Sequence, residues 1–129
     1  MKSDLTKLSL LVVDDSSINQ RVVSMSLRNT IGKIDLASNG MDAFKMYCEN
    51  PYDIILMDGR MPVMDGYEAT QKIRTYEKEN GLENPAIIIA LTGSDTEHET
   101  QACLNSGMNA SMLKPFRINE FLEIVKDFN

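Results

Sequence analysis

Histidine is almost missing from this 129-residue chain. His98 stands alone, so no multi-histidine metal centre can form, and a histidine-based catalytic triad has one isolated candidate. Two cysteines, Cys48 and Cys103, are too few for a disulfide framework or a zinc site, and fit a reducing cytosol. No apolar run approaches the ~20 residues that a membrane helix requires. The segment Met1-Lys2-Ser3-Asp4 lacks the apolar stretch of a secretory signal. Neither GxxxxGK(S/T) nor GxGxxG occurs, which leaves a flavin- or nucleotide-binding domain without its phosphate-cradling loop. Basic charge is in the minority, with 13 Lys and Arg against 19 Asp and Glu and a net charge of −6. Such a surface repels phosphate backbones and anionic lipid, so neither direct nucleic-acid binding nor membrane insertion is expected. Repeats, low-complexity tracts and interdomain linkers are also lacking.

What remains is ordinary globular composition, 43% hydrophobic and 25% charged. Its length fits a single domain over 1–129 with a core over 8–128. Short apolar runs alternate with amphipathic segments. The spacing predicts strands over 8–13, 34–37, 52–57, 86–91 and 110–113. The most hydrophobic, 86–91, belongs at or near the sheet centre.

Between the strands the period becomes helical. A first helix starts at Ser17, with Ile18, Val22, Met25, Val23 and Leu27 on one broad side and Gly32 closing it. Asn39 caps the second, whose apolar positions are Ala43, Phe44, Met46 and Tyr47. The third runs from Tyr67 to Tyr76, followed by a charged loop over 77–85. Ser94-Asp95-Thr96-Glu97 reads as a capping box for a fourth helix that Gly107 ends, and 118–128 is a final amphipathic helix. Five βα units with continuous rather than alternating strands imply a parallel α/β sheet covered on both faces.

Open α/β sheets bind ligands at the carboxyl ends of their strands. There the first strand offers Asp14 and Asp15, the third Asp58, the fourth Thr92 and the fifth Lys114. Taken singly, each aspartate also reads as a turn former or helix cap, Thr92 as a strand end, and Lys114 as a solvated loop lysine. Jointly they bring three carboxylates together, which repel and raise one another's pKa unless a cation compensates. Carboxylate oxygens without histidine or cysteine favour a hard ion, Mg2+ first. Mg2+, a nucleophilic carboxylate, a lysine and a hydroxyl donor are the requirements of phosphoryl transfer to aspartate.

The chain resembles the receiver domains of two-component response regulators over essentially its whole length. The resemblance rests on LLVVDDSSINQ at 10–20, DIILMDGRMPVMDGYEAT at 53–70, IIALTG at 88–93 and LKPF at 113–116. It implies a flavodoxin-like (βα)5 fold with strand order 2-1-3-4-5. It assigns Asp58 as phosphoacceptor, Asp15 as direct Mg2+ ligand, Asp14 as a ligand through water, and the Arg60 carbonyl as a further ligand. Thr92 matches the switch hydroxyl that binds a phosphoryl oxygen. Lys114 matches the lysine that pairs with Asp58, with a cis peptide to Pro115. Met61-Pro62 and Asp65-Gly66 match the turn after the acceptor strand, and Gly93 keeps the mouth of the site open.

The implied function is a phosphoacceptor signalling module, cytoplasmic and not a conventional enzyme. It would take a phosphoryl group from a sensor histidine kinase or a histidine phosphotransfer protein, and be reset by hydrolysis or onward transfer. Ser16–Asn19 is similar to the first-helix opening of receivers in hybrid histidine kinases. Ile18, Asn19 and Val22 there are candidate partner-docking residues, although Val22 also reads as core.

One position departs from the family. Where receivers usually carry the Tyr or Phe that swings inward on phosphorylation, this chain has Ser111. Two other functions compete. A phosphatase of the haloacid dehalogenase type needs an acid two residues after the nucleophile, and Arg60 is there. An unphosphorylated receiver-like scaffold would not need the intact acid, hydroxyl and lysine set. Met25, Met46, Met57, Met112 and Cys103 are read as core, and His98 as solvent-exposed. No DNA-binding or catalytic output segment is expected within these residues.

Overall fold

A computed structural model describes residues 4–58, 64–93 and 96–128. Strands β1 (Ser9–Val13), β2 (Lys33–Ala37), β3 (Ile54–Asp58), β4 (Ile87–Thr92) and β5 (Ala110–Leu113) alternate with helices α1 (Ser17–Leu27), α2 (Gly40–Glu49), α3 (Gly66–Glu79), α4 (Glu97–Ser106) and α5 (Ile118–Phe128). The strands form one parallel sheet in the order β2-β1-β3-β4-β5. That is the flavodoxin-like order, with β3 at the centre and β4 beside it.

The continuous apolar strands are explained by burial on both faces, because successive side chains point opposite ways. Leu11, Val13, Ile55, Met57, Ile88 and Ala90 face one layer, where Ala43 and Tyr47 of α2, Ala69 and Ile73 of α3 and Cys103 of α4 close over them. Leu10, Val12, Ile54, Leu56, Ile89 and Met112 face the other, under Val23 and Leu27 of α1 and Phe121 and Val125 of α5. Strand order reverses between β1 and β3. The loops leaving their carboxyl ends diverge to opposite sides of the sheet and open a crevice there.

Several local readings need correction. Helix α1 ends at Leu27 and not at Gly32. Gly32 instead lies against a 3-10 turn (Leu5–Lys7), where an added Cβ would stand 1.9 Å from the Thr6 carbonyl oxygen. Only Gln20, Val23 and Leu27 of α1 are buried, so Ile18, Val22 and Met25 form a second, outward apolar stripe. Met25 is therefore not core filler, whereas Met57 and Met112 are buried.

Helix α3 runs through Glu79, so residues 77–79 are helical and Glu77 is buried. The α4 cap is Thr96, whose hydroxyl accepts the Glu99 amide; Ser94 and Asp95 lie outside the described residues. Asn39 caps α2 by accepting the Asp42 amide, and Gly107 ends α4 in the left-handed conformation at φ 109°.

Candidate phosphoacceptor site

Each strand ends where a polar residue begins. Strand β1 stops at Val13, and the Asp14 amide makes one further bond, to the Ala37 carbonyl at 3.0 Å. Asp58 is the last residue of β3 and Thr92 the last of β4, both buried; Lys114 follows β5 directly. The Lys114 amide donates to the Thr92 carbonyl at 2.7 Å, which holds the β4 and β5 exits side by side. The Lys114–Pro115 peptide is cis.

One carboxylate oxygen each from Asp14, Asp15 and Asp58 lies within 4.8 Å of the others, a separation that a single cation would span. Asp14 and Asp58 are 2% and 5% exposed, while Asp15 opens to solvent. Lys114 Nζ stands 3.5 Å from Asp58 Oδ1 and supplies one positive charge to three acids. Burial pushes the Asp14 carboxyl above the usual carboxylate range and the Asp58 charge adds to the rise. The Ser16 amide, donating to Asp14 Oδ1 at 2.9 Å, and Lys114 oppose it. The donors are all oxygens, two of them withdrawn from water. This set suits a hard divalent ion such as Mg2+ and offers a soft metal nothing.

The structure thus brings together Asp14, Asp15, Asp58 and Lys114, with Thr92 on the same edge. Arg60, Met61 and Pro62 fall outside the described residues. Beside Gly93 nothing lies within 4 Å of where a Cβ would be, so the backbone after Thr92 is open to solvent. Ser111 pairs with Ala90 in the β4–β5 ladder and is half-buried. On α1, Ile18 is 73% and Val22 48% exposed, so Val22 is not core. Asn19, Val22, Val23, Leu91, Lys114, Pro115 and Phe116 line a groove of about 360 Å3 that joins this stripe to the lysine.

Two residues near the site escaped the sequence reading. Gln20, buried on α1, donates to the Asp14 carbonyl at 2.7 Å. Tyr67 of α3 donates to Glu99 of α4 at 2.6 Å and links the helices that follow Asp58 and Thr92. Gln20 carried a usable signal, since it stands three residues before Val23 and seven before Leu27, a helical spacing that puts it on their face.

Comparison with known proteins bears on the family and the fold. Residues 10–126 match the family model described as response regulator receiver domain. The chain is 38% identical over 120 residues to hybrid signal transduction histidine kinase B of Dictyostelium discoideum. That match covers 88% of this chain but 6% of the kinase, and the first relatives are all long, the chain spanning 6–11% of them. Among solved structures, it superposes on the Saccharomyces cerevisiae Ssk1 receiver domain, crystallised with the histidine phosphotransfer protein Ypd1. The TM-score is 0.88 at 33% identity, covering 94% of this chain and 88% of that one. The receiver domain of the Arabidopsis thaliana histidine kinase CKI1 complexed with Mg2+ gives 0.86 at 29% identity, covering 98% and 97%. Sheet order, acid cluster and family match coincide, and the chain belongs to the response regulator receiver domain family.

Proposed function

We propose that Asp58 accepts a phosphoryl group from a phosphohistidine on a partner protein, and that this chain relays the signal as a phosphorylation-controlled module. The observation that carries the reading is the gathering of the Asp14, Asp15 and Asp58 oxygens within 4.8 Å, with Lys114 Nζ 3.5 Å from Asp58. A carboxylate oxygen of Asp58 attacks phosphorus in line; the new O–P bond forms as the P–N bond of the phosphohistidine breaks. Lys114 pairs with the negative oxygens of the group in flight, and the Thr92 hydroxyl donates to one of them once it has arrived. Asp14 and Asp15 would hold Mg2+ together with Asp58 and the Arg60 carbonyl. When bound, the ion supplies the positive charge that lets three acids and a phosphoryl group share one site.

Attack of water on the acyl phosphate, or onward transfer to another histidine, resets the domain. The chain in this reading promotes its own modification and turns over no separate substrate. The donor is a histidine phosphotransfer protein or a sensor histidine kinase. Ile18, Asn19 and Val22, with the groove reaching Lys114, offer it an apolar seat beside Asp58. Among the described residues no helix is long and apolar enough to cross a membrane. Cys48 and Cys103 are free thiols, which supports a cytoplasmic setting.

The test is phosphorylation with Mg2+ and either a small phosphodonor or a phosphorylated histidine phosphotransfer protein. One acid-stable, base-labile phosphoryl group is expected per chain, and it is lost in Asp58→Asn. Full labelling of Asp58→Asn would overturn the assignment.

A further inference from the structure

Gln20 is the one polar residue on the buried face of α1. Its Nε2 lies 2.7 Å from the Asp14 carbonyl oxygen, 3.0 Å from the Ala37 carbonyl oxygen and 3.3 Å from Ser38 Oγ. The two nearest partners are carbonyls, which only accept, so the NH2 end of the amide must face them. The β1–β2 ladder ends at the Val13–Ala37 pair, and the Asp14 amide takes the last bond, to Ala37. Beyond it the chain leaves β2 for the Asn39 cap of α2. The Asp14 carbonyl is left to be satisfied from another element, and Gln20 satisfies it from α1.

That carbonyl belongs to the planar peptide joining Asp14 to Asp15. Holding its oxygen fixes the plane, and with it the position of the Asp15 Cα, leaving the rotation about the Asp15 N–Cα bond as the one backbone freedom that aims its side chain. Ser16 separately holds the Asp14 carboxylate through its amide. We propose that Gln20 is a positioning residue whose amide clamps the Asp14–Asp15 peptide and so presets both carboxylates for a divalent cation. It acts through the acids and touches neither the cation nor the phosphoryl group. The cation half of the inference rests on the Mg2+ reading above; the clamp itself does not.

The experiment compares the wild type with Gln20→Met, which keeps the length of the side chain and removes both N–H donors. Val23→Ala, on the same buried face, thins the packing of α1 and leaves the amide in place. Gln20→Asn carries the same amide on a shorter arm, and serves if the methionine variant fails to fold. Mg2+ is titrated calorimetrically into each protein, and amide hydrogen exchange is followed without metal.

Loss of an outer contact to a metal ligand typically weakens binding about 10- to 100-fold, and a rise of about tenfold in the Mg2+ dissociation constant is expected for Gln20→Met. Gln20→Asn falls between it and the wild type, and Val23→Ala stays near the wild type. In metal-free Gln20→Met, the Ser16 amide, which donates to Asp14 Oδ1, exchanges several-fold faster, while those of β3 keep their protection. Equal loss of affinity in Gln20→Met and Val23→Ala would reduce the effect to general loosening of α1 and overturn the proposal. So would wild-type affinity in Gln20→Met, or unchanged Ser16 exchange in that variant. If the wild type takes up no Mg2+, the cation reading of the site fails, and the exchange measurement still decides whether Gln20 clamps the peptide.

Discussion

Tyr47 of α2 donates a 2.6 Å hydrogen bond to Oε2 of Glu77, near the end of α3. The same oxygen accepts the Ala86 amide at 2.8 Å, and Oε1 accepts from Arg74 at 2.8 Å. Arg74 goes on to the Gly107 carbonyl and to Asn109 Oδ1, which in turn accepts the Ile88 amide. One buried carboxylate therefore ties together α2, α3 and the start of β4, and through Arg74 the end of α4 and the approach to β5. All of this lies at the amino edge of the sheet, opposite the acid cluster. Burial, and then the Glu77 carboxylate, hold the Tyr47 hydroxyl well above the usual phenol range, so it remains a donor.

Glu77→Leu leaves the Arg74 guanidinium and the Ala86 amide without their acceptor. Breaking a buried pair from one side costs about 3–5 kcal/mol, which is the expected loss in urea unfolding. Tyr47→Phe removes one bond to a charged acceptor and is expected to cost about 2 kcal/mol. Phosphorylation of Asp58 should keep its rate wherever both variants are folded. A loss below about 1 kcal/mol in Glu77→Leu would show that the network carries little of the stability.

Asp14 gives a pH signature in the metal-free chain. Burial raises its folded pKa above the ordinary 3.8, so the native state holds that proton more tightly than the unfolded state does. The resulting stability is present at low pH and is lost as pH rises through the raised folded value. Asp14→Asn should therefore melt higher than the wild type at pH 7 without metal, and the gap should close as the solution is acidified. Added Mg2+ reverses the order, because the wild type gains ligand stabilisation that the variant lacks. A metal-free Asp14→Asn that melts below the wild type at pH 7 would sink this account.

The strands and the acid cluster were legible in the sequence because each depends on residues close together in the chain. Continuous apolar runs marked β1 and β4, β5 was bounded at Ala110–Leu113, and each strand-end acid stands where its run stops. The misreadings involve partners far apart. Glu77 reads as a loop residue until Tyr47, thirty positions away, is seen to meet it. Met25 fits a helical period but sits on the outward stripe of α1. Periodicity finds a second stripe as readily as the first, and only the position of the sheet tells them apart.

Gly32 shows the same limit and supplies a stability test. A glycine shortly after a helix suggests a C-terminal cap, yet the constraint here is the Thr6 backbone, 1.9 Å from where a Cβ would stand. A carbonyl oxygen cannot rotate aside as a side chain can, so the 3-10 turn must shift. Gly32→Ala is expected to cost about 1–3 kcal/mol, read from denaturant midpoints at constant m. If alanine stabilised by the ~0.4–1 kcal/mol gained where a glycine is merely flexible, the close approach would not be a constraint.

If Asp58 is the phosphoacceptor proposed above, Ser111 would limit how far a switch at that site reaches. In the aromatic mechanism that receivers usually employ, the loop drawn in by the threonine vacates space that a ring then fills, carrying the change to the face of the fourth and fifth helices. Serine lacks the volume to follow, because an aromatic ring buries about 150–250 Å2 and a hydroxymethyl group far less. In this chain Ser111 pairs with Ala90, and the Lys114 amide is already bonded to the Thr92 carbonyl. Phosphorylation at Asp58 should therefore shift a local equilibrium around Thr92, Gly93 and Lys114, leaving α5 little changed. Recognition would then lean on Ile18 and Val22 in both states. Amide chemical shifts recorded with and without a phosphoryl mimic at Asp58 test this. Large changes at Thr92 and Gly93 that fade before Ile118–Phe128 are expected. Changes across 118–128 as large as those beside Asp58 would defeat the idea, and would require another side chain to do the work of the missing ring.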